Sequence, residues 1–104
     1  MKLRWLPLAL RDLDEIRRYI ARDNAAAARH WVTRLQARAR DAASMPMAGR
    51  VVPELEQDDV REVLLRSYRI VYRVLGEEVH VLTVFEGRRL FPPGVAPDGD
   101  DDGS

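Results

Sequence analysis

Two hydrophobic rhythms divide this chain. From Leu8 to Arg22, the apolar residues Leu10, Leu13, Ile16 and Ile20 recur at spacings of three and four, which predicts a helix with one apolar stripe. Pro7 stands where a proline suits a helix start. Asp12, Asp14 and Glu15 come early, and Arg17, Arg18 and Arg22 come late, an order that suits the helix dipole. Asp23-Asn24 breaks the pattern. A second helix is expected from about Ala25 to Ala43, with Asn24 as N-cap and Ala28, Trp31, Val32, Leu35, Ala39 and Ala42 on its apolar face. Ser44-Met45-Pro46 ends it, because the residue before a proline resists the helical region. So short a link between two helices favours an antiparallel hairpin.

Elsewhere the rhythm is two. Lys2 to Leu6 suits a short opening strand, and three more strands are expected over Val60–Leu65, Tyr68–Leu75 and Val79–Phe85. Gly76-Glu77-Glu78 makes the last two a hairpin. Gly49 to Leu55 reads as a loop or short extended piece. In the middle strand, Tyr68, Ile70, Tyr72 and Val74 share one face and Arg69, Val71 and Arg73 the other. In the last strand, Val79, Val81, Thr83 and Phe85 oppose His80, Leu82 and Val84. Both of its faces are apolar enough to call for cover, and a partner is one source of it. The expected fold is α+β: an N-terminal strand and a helical hairpin packed on a small, mainly antiparallel twisted sheet.

Composition narrows the chemistry. A chain of 104 residues makes one small domain with one core. It has no cysteine, which excludes a disulfide scaffold, a thiol nucleophile and a thiolate zinc site. His30 and His80 are far apart in sequence, so no metal site is expected. No signal-peptide pattern and no membrane-length apolar run is present, so the expectation is a soluble cytoplasmic protein. The formal net charge is zero, yet Asp98, Asp100, Asp101 and Asp102 crowd the end of the chain. Setting those four aside leaves 17 basic against 13 acidic residues. Sixteen of the basic residues are arginine, which suits bidentate contact with carboxylates or phosphates. From Pro92-Pro93-Gly94 onward the composition is polar and acidic, and a disordered tail is expected over residues 94–104.

Four segments carry a resemblance. The first is the opening strand and helix, with Ala9, Asp12, Leu13, Ile16, Tyr19 and Ile20. The second is Asp23-Asn24-Ala25 followed by Ala27, Ala28 and Trp31. The third is Pro46 through Gly49-Arg50, then Val52-Pro53-Glu54-Leu55. The fourth is Arg61-Glu62 through Tyr68-Arg69-Ile70-Val71-Tyr72-Arg73 to Val81-Leu82 and Gly87-Arg88-Arg89. In this order the chain resembles the ParE branch of the RelE/ParE toxins of type II toxin–antitoxin modules. The resemblance covers roughly residues 3 to 90 and sets the expected domain at 1–93.

The resemblance implies a toxin that binds and blocks DNA gyrase. It also implies a cognate ParD-like antitoxin, a ribbon-helix-helix dimer through which alone the module would touch operator DNA. The related RelE proteins are ribosome-dependent ribonucleases, and this chain departs from their pattern. Its last strand ends in Phe85, Glu86, Leu90 and Phe91 with no tyrosine, and Lys2 is its only lysine. Arginines supply charge but are poor general bases, because they stay protonated. No catalytic residue and no cofactor is therefore assigned. Arg61, Glu62, Arg69 and Arg73 are the expected antitoxin-binding residues. Arg88, Arg89, Leu90 and Phe91 form the expected target-facing end, two arginines beside an apolar pair. Leu13, Ile16, Trp31, Leu35, Tyr68, Ile70 and Tyr72 are expected to be structural.

Overall fold

The structure, a computed structural model, describes residues 1–95. Strand β1 (Lys2–Trp5) leads into helices α1 (Pro7–Ala21) and α2 (Ala25–Ser44). A 3-10 turn at Pro46–Ala48 is followed by β2 (Arg50–Val51), β3 (Val60–Leu65), β4 (Tyr68–Leu75) and β5 (Glu78–Glu86). The sheet order is β1-β5-β4-β3-β2. The pair β1–β5 is parallel and the other pairs are antiparallel. The parallel pair follows from the topology: the helical hairpin carries the chain from the β1 edge across the sheet. The α+β expectation therefore holds, with each element within a residue or two of its expected limits.

Local signals fix the helices. Pro7 begins α1, and the Asn24 Oδ1 accepts from the Ala27 N–H at 2.9 Å to cap α2. Ile20 closes the hairpin link, its carbonyl accepting from the Asp23 N–H at 3.1 Å and the Asn24 N–H at 3.0 Å. Leu10 is the exception to the expected stripe. It is 52% exposed, and Ala9 takes the buried position with Leu13. The face that meets a sheet is chosen by the pitch of the whole helix, and an alanine lets the backbones approach more closely than a leucine.

The main core lies between the hairpin and one sheet face. Ala9, Leu13, Leu35, Ala39, Ala42 and Ala43 meet Val63, Ile70, Tyr72, Val79, Val81 and Val84. Ile16 and Tyr68 pack at its margin. Truncating the fully buried Leu35 to alanine is a change that costs about 2–5 kcal/mol in such cores. Trp31 lies beside Tyr68, ring centroids 6.3 Å apart, with the Arg34 guanidinium 4.9 Å from its ring. Of the seven residues expected to be structural, Leu13, Leu35, Ile70 and Tyr72 lie in this core, Ile16 and Tyr68 pack against it, and Trp31 meets Tyr68.

The last strand departs from its expected alternation. Val71 pairs with Thr83 and Tyr72 with Val81, so Leu82 has no opposite number on β4. This bulge shifts the side-chain phase by one. Val79 and Val81 face the helices before it and Val84 after it, while Leu82 and Phe85 face the other side. There a second cluster of Val52, Val60, Val71, Leu82, Phe85 and Val95 forms, flanked by Leu6, Leu8, Leu55 and Phe91. The cover that both faces of the last strand call for is supplied by the chain itself. Val95, within the span expected to be a tail, is buried in this cluster. The rest of that span, residues 96–104, lies outside the described residues.

Candidate functional site

The four residues expected to meet an antitoxin divide between the two faces of the sheet. Arg61 pairs across the sheet with Tyr72, on the helix side. Its Nη1 donates to the Met47 and Gly49 carbonyls at 3.2 and 3.0 Å, and its Nη2 to the Asp58 carboxylate at 2.9 Å. It clasps the segments that enter and leave β2. Glu62, Arg69 and Arg73 lie on the opposite face.

Glu62 and Arg69 form the centre of a buried ionic network. The Glu62 side chain is fully buried and accepts from Nε of Arg50 and, at 2.7 Å, from Nε of Arg69. Nη1 and Nη2 of Arg69 reach the two oxygens of Glu54, both at 2.8 Å. This fork-to-fork pairing is a strong geometry for arginine and carboxylate. It holds the Glu54 carboxyl well below its ordinary range, at about 2, and raises the Arg69 guanidinium further. The guanidinium also lies 5.0 Å from the Phe85 ring centroid and 5.7 Å from that of Phe91. Arg73 stands apart, with its Nε 2.9 Å from the Asp59 carboxylate.

The expected target-facing residues also part company. Leu90 is 93% exposed, whereas Phe91 turns inward and meets Phe85 edge-on at 5.6 Å. Arg88 and Arg89 are both exposed but line different depressions. Arg89 borders a groove of about 430 Å³ between α1 and the end of β5, with Glu15, Ile16, Tyr19, Tyr68 and Glu86. Arg88 borders a shallower one of about 300 Å³ on the other side, with Arg50, Leu64, Arg66, Ser67 and Arg69. Arg50 and Arg66 carry no periodic signal, and only the register and turn geometry bring them to Arg88.

The chemistry available at these sites is chiefly electrostatic. Burial pushes the phenols of Tyr68 and Tyr72 up, so neither is a phenolate at neutral pH. The Tyr72 hydroxyl donates to the Pro46 carbonyl at 2.6 Å. His80 is bonded at 2.8 Å to Glu78, whose carboxyl is lowered by that contact. Among the described residues, no group of three or more histidine or acidic residues could hold a metal ion, and no helix is long and apolar enough to cross a membrane.

Two grooves of opposite charge thus lie on a two-layer α+β scaffold whose sheet is fixed by a buried ion network. Residues 3–91 match the family described as the ParE toxin of the type II toxin–antitoxin system parDE. The chain belongs to that family. It is 34% identical over 93 residues to Y4kP of Sinorhizobium fredii, a protein described as a candidate toxin, spanning 88% of this chain and 93% of that one. Its fold is similar to a chain of the chromosomal ParDE toxin–antitoxin system from P. aeruginosa, with a TM-score of 0.69 and 25% identity. That match covers 83% of this chain and 95% of the other.

Proposed function

We propose that this ParE-family toxin acts by binding proteins: it inhibits DNA gyrase and is neutralised by a cognate ParD-like antitoxin. The observation that carries the reading is the family match across residues 3–91, joined to arginine-rich surfaces with little acid–base chemistry beside them. The shallower groove offers guanidinium groups and the Ser67 hydroxyl, and cleaving RNA at such a site needs a group that takes a proton from the 2′-hydroxyl. The similar P. aeruginosa chain comes from a ParDE system, which supports an antitoxin partner for this one. Contact with operator DNA would then run through the antitoxin's ribbon-helix-helix domain.

In this reading the antitoxin meets the sheet around Arg61, Glu62, Arg69 and Arg73, and the target meets the Arg88 to Phe91 end. Glu62 and Arg69 serve indirectly, since both are buried, by holding Arg50, Glu54 and Phe91 in place. Leu90 is the exposed apolar contact and Phe91 its inner support. Controlled expression with and without the antitoxin tests the proposal, read by supercoiling with purified gyrase beside translation in a cell extract. Inhibited supercoiling with intact messenger RNA is expected. Unaffected gyrase with cleaved messenger RNA would overturn it in favour of a ribonuclease. Antitoxin binding without growth arrest would mark the chain as a non-toxic relative.

A further inference from the structure

The groove beside Arg88 carries positive charge that the carboxylates around it do not balance. Its carboxylates, Glu54 and Glu62, are both engaged, Glu54 by Arg69 and Glu62 by Arg69 and Arg50. Two carboxylates and two guanidiniums make that set neutral. Arg66 and Arg88 add two more cations, and among the described residues neither has a carboxylate at ion-pair distance, although the Arg66 guanidinium also lies 5.9 Å from the Trp31 ring centroid. Arg50 gives its Nε to Glu62, and its side chain is 59% exposed.

The rim is held in shape. Arg66 occupies the two-residue turn between β3 and β4 with φ +54°, a left-handed conformation usually left to glycine or asparagine. The Gly87 N–H donates to the Ser67 carbonyl at 2.6 Å, pinning the turn that bears Arg66 to the turn that bears Arg88. A Cβ at Gly87 would come within 3.1 Å of that same oxygen. Leu64, 47% exposed, supplies an apolar patch in the groove.

We propose that this groove docks an acidic segment of a partner protein, its carboxylates on Arg50, Arg66 and Arg88 and an aliphatic side chain on Leu64. This goes beyond the antitoxin and target surfaces above by naming the groove and the segment's chemistry, and it rests on the reading of the chain as a protein-binding toxin. A peptide fits better than a nucleic acid on two grounds. The groove contains no aromatic ring on which a base could stack. The chain's net charge of zero gives weak long-range attraction for a polyanion.

The test is fluorescence anisotropy with the full chain and a labelled peptide of alternating glutamate and leucine. A labelled oligothymidine serves as the second probe. Peptide binding should weaken about tenfold in Arg66→Gly and in Arg88→Ala, one charge-assisted contact each. Arg29→Ala, an exposed position on α2, should bind as the unaltered chain does. Arg66→Gly should unfold at about the same temperature, since glycine suits the turn and offsets the lost contact with the Trp31 ring, which separates lost binding from lost structure. Equal binding by both groove variants, or oligothymidine binding as tight as the peptide's, would overturn the proposal. So would peptide binding seen only after Asp98, Asp100, Asp101 and Asp102 are changed to asparagine, since the groove would then belong to the chain's own acids. Because binding is measured directly, failure here leaves the gyrase assay to decide the toxin reading separately.

Discussion

Loss of Arg69 would unpair a buried carboxylate from one of its guanidiniums. Replacing Arg69 with methionine keeps much of the aliphatic stem and removes three charge-assisted hydrogen bonds, at 2.7, 2.8 and 2.8 Å. Glu54 can turn to water, because its side chain is 40% exposed. Glu62 cannot, and it would be left with Arg50 alone. Removing one partner of a buried pair costs about 3–5 kcal/mol, and the remaining Arg50 contact places the expected loss near the lower end, about 3 kcal/mol. A domain of this size has roughly 5–15 kcal/mol in all, so the Arg69→Met chain should stay folded but lose a large part of its margin. Urea unfolding followed by circular dichroism measures this directly. Adding Glu62→Leu removes the stranded charge and should recover at least half of the loss. A loss under about 1 kcal/mol, or a double variant as unstable as both single changes added together, would refute the account of the network as a coupled buried pair.

Gly49→Ala should destabilise by about 1–3 kcal/mol in the same assay, because its Cβ would fall 2.2 Å from the Tyr72 hydroxyl and 2.9 Å from the Glu62 carbonyl. A neutral result would mean the Tyr72 ring can move aside without losing its bond to Pro46. Asp12→Ala should cost about 1–3 kcal/mol, since the Asp12 carboxylate accepts from the buried Thr83 hydroxyl and from the Val84 N–H at 3.0 Å. Hydrogen exchange at Val84 should rise with it, and unchanged exchange would count against the assignment. The depressed Glu54 carboxyl sets an acid limb of stability. Its contribution is complete above the ordinary value of 4.5 and is lost as pH falls toward about 2. Urea midpoints should therefore decline through that window, modestly because Glu54 is partly exposed, and the decline should be shallower in Glu54→Gln. An equal slope in that variant would assign the acid sensitivity to other groups.

The grooves were less legible in the sequence than the fold. Alternation in the middle strand put Arg69 and Arg73 on one face and Tyr68, Ile70 and Tyr72 on the other, which is the face the structure turns toward the helices. It did not show that Arg69 is consumed by Glu54, fifteen positions earlier on a connecting loop. Nor did it show that adjacent Arg88 and Arg89 line separate depressions, since the Gly87 turn decides where each one goes. Arg50 and Arg66 had no periodic signal. One is a two-residue edge strand and the other a turn, both too short for periodicity to be seen.

By itself the sequence determined the two helices, the four longer strands, their order, and the alternation of side chains along the middle strand and along the last one up to Val81. These depend on near neighbours: a proline start, an Asn24 cap and side-chain periods of two and of three to four. The family was legible for a related reason, since its motifs lie in order along residues 3–91. Tertiary structure decided what depends on distant neighbours. Past Leu6, β1 no longer flanks β5, and the Asp12 carboxylate on α1 takes the Val84 N–H in its place. The Leu82 bulge beside it reverses the phase of the strand. Whether an arginine is spent on the fold or left for a partner depends on which carboxylates the folded chain brings within reach. Glu54 and Glu62 neutralise Arg69 and engage Arg50, and leave Arg66 and Arg88 at the rim of the groove.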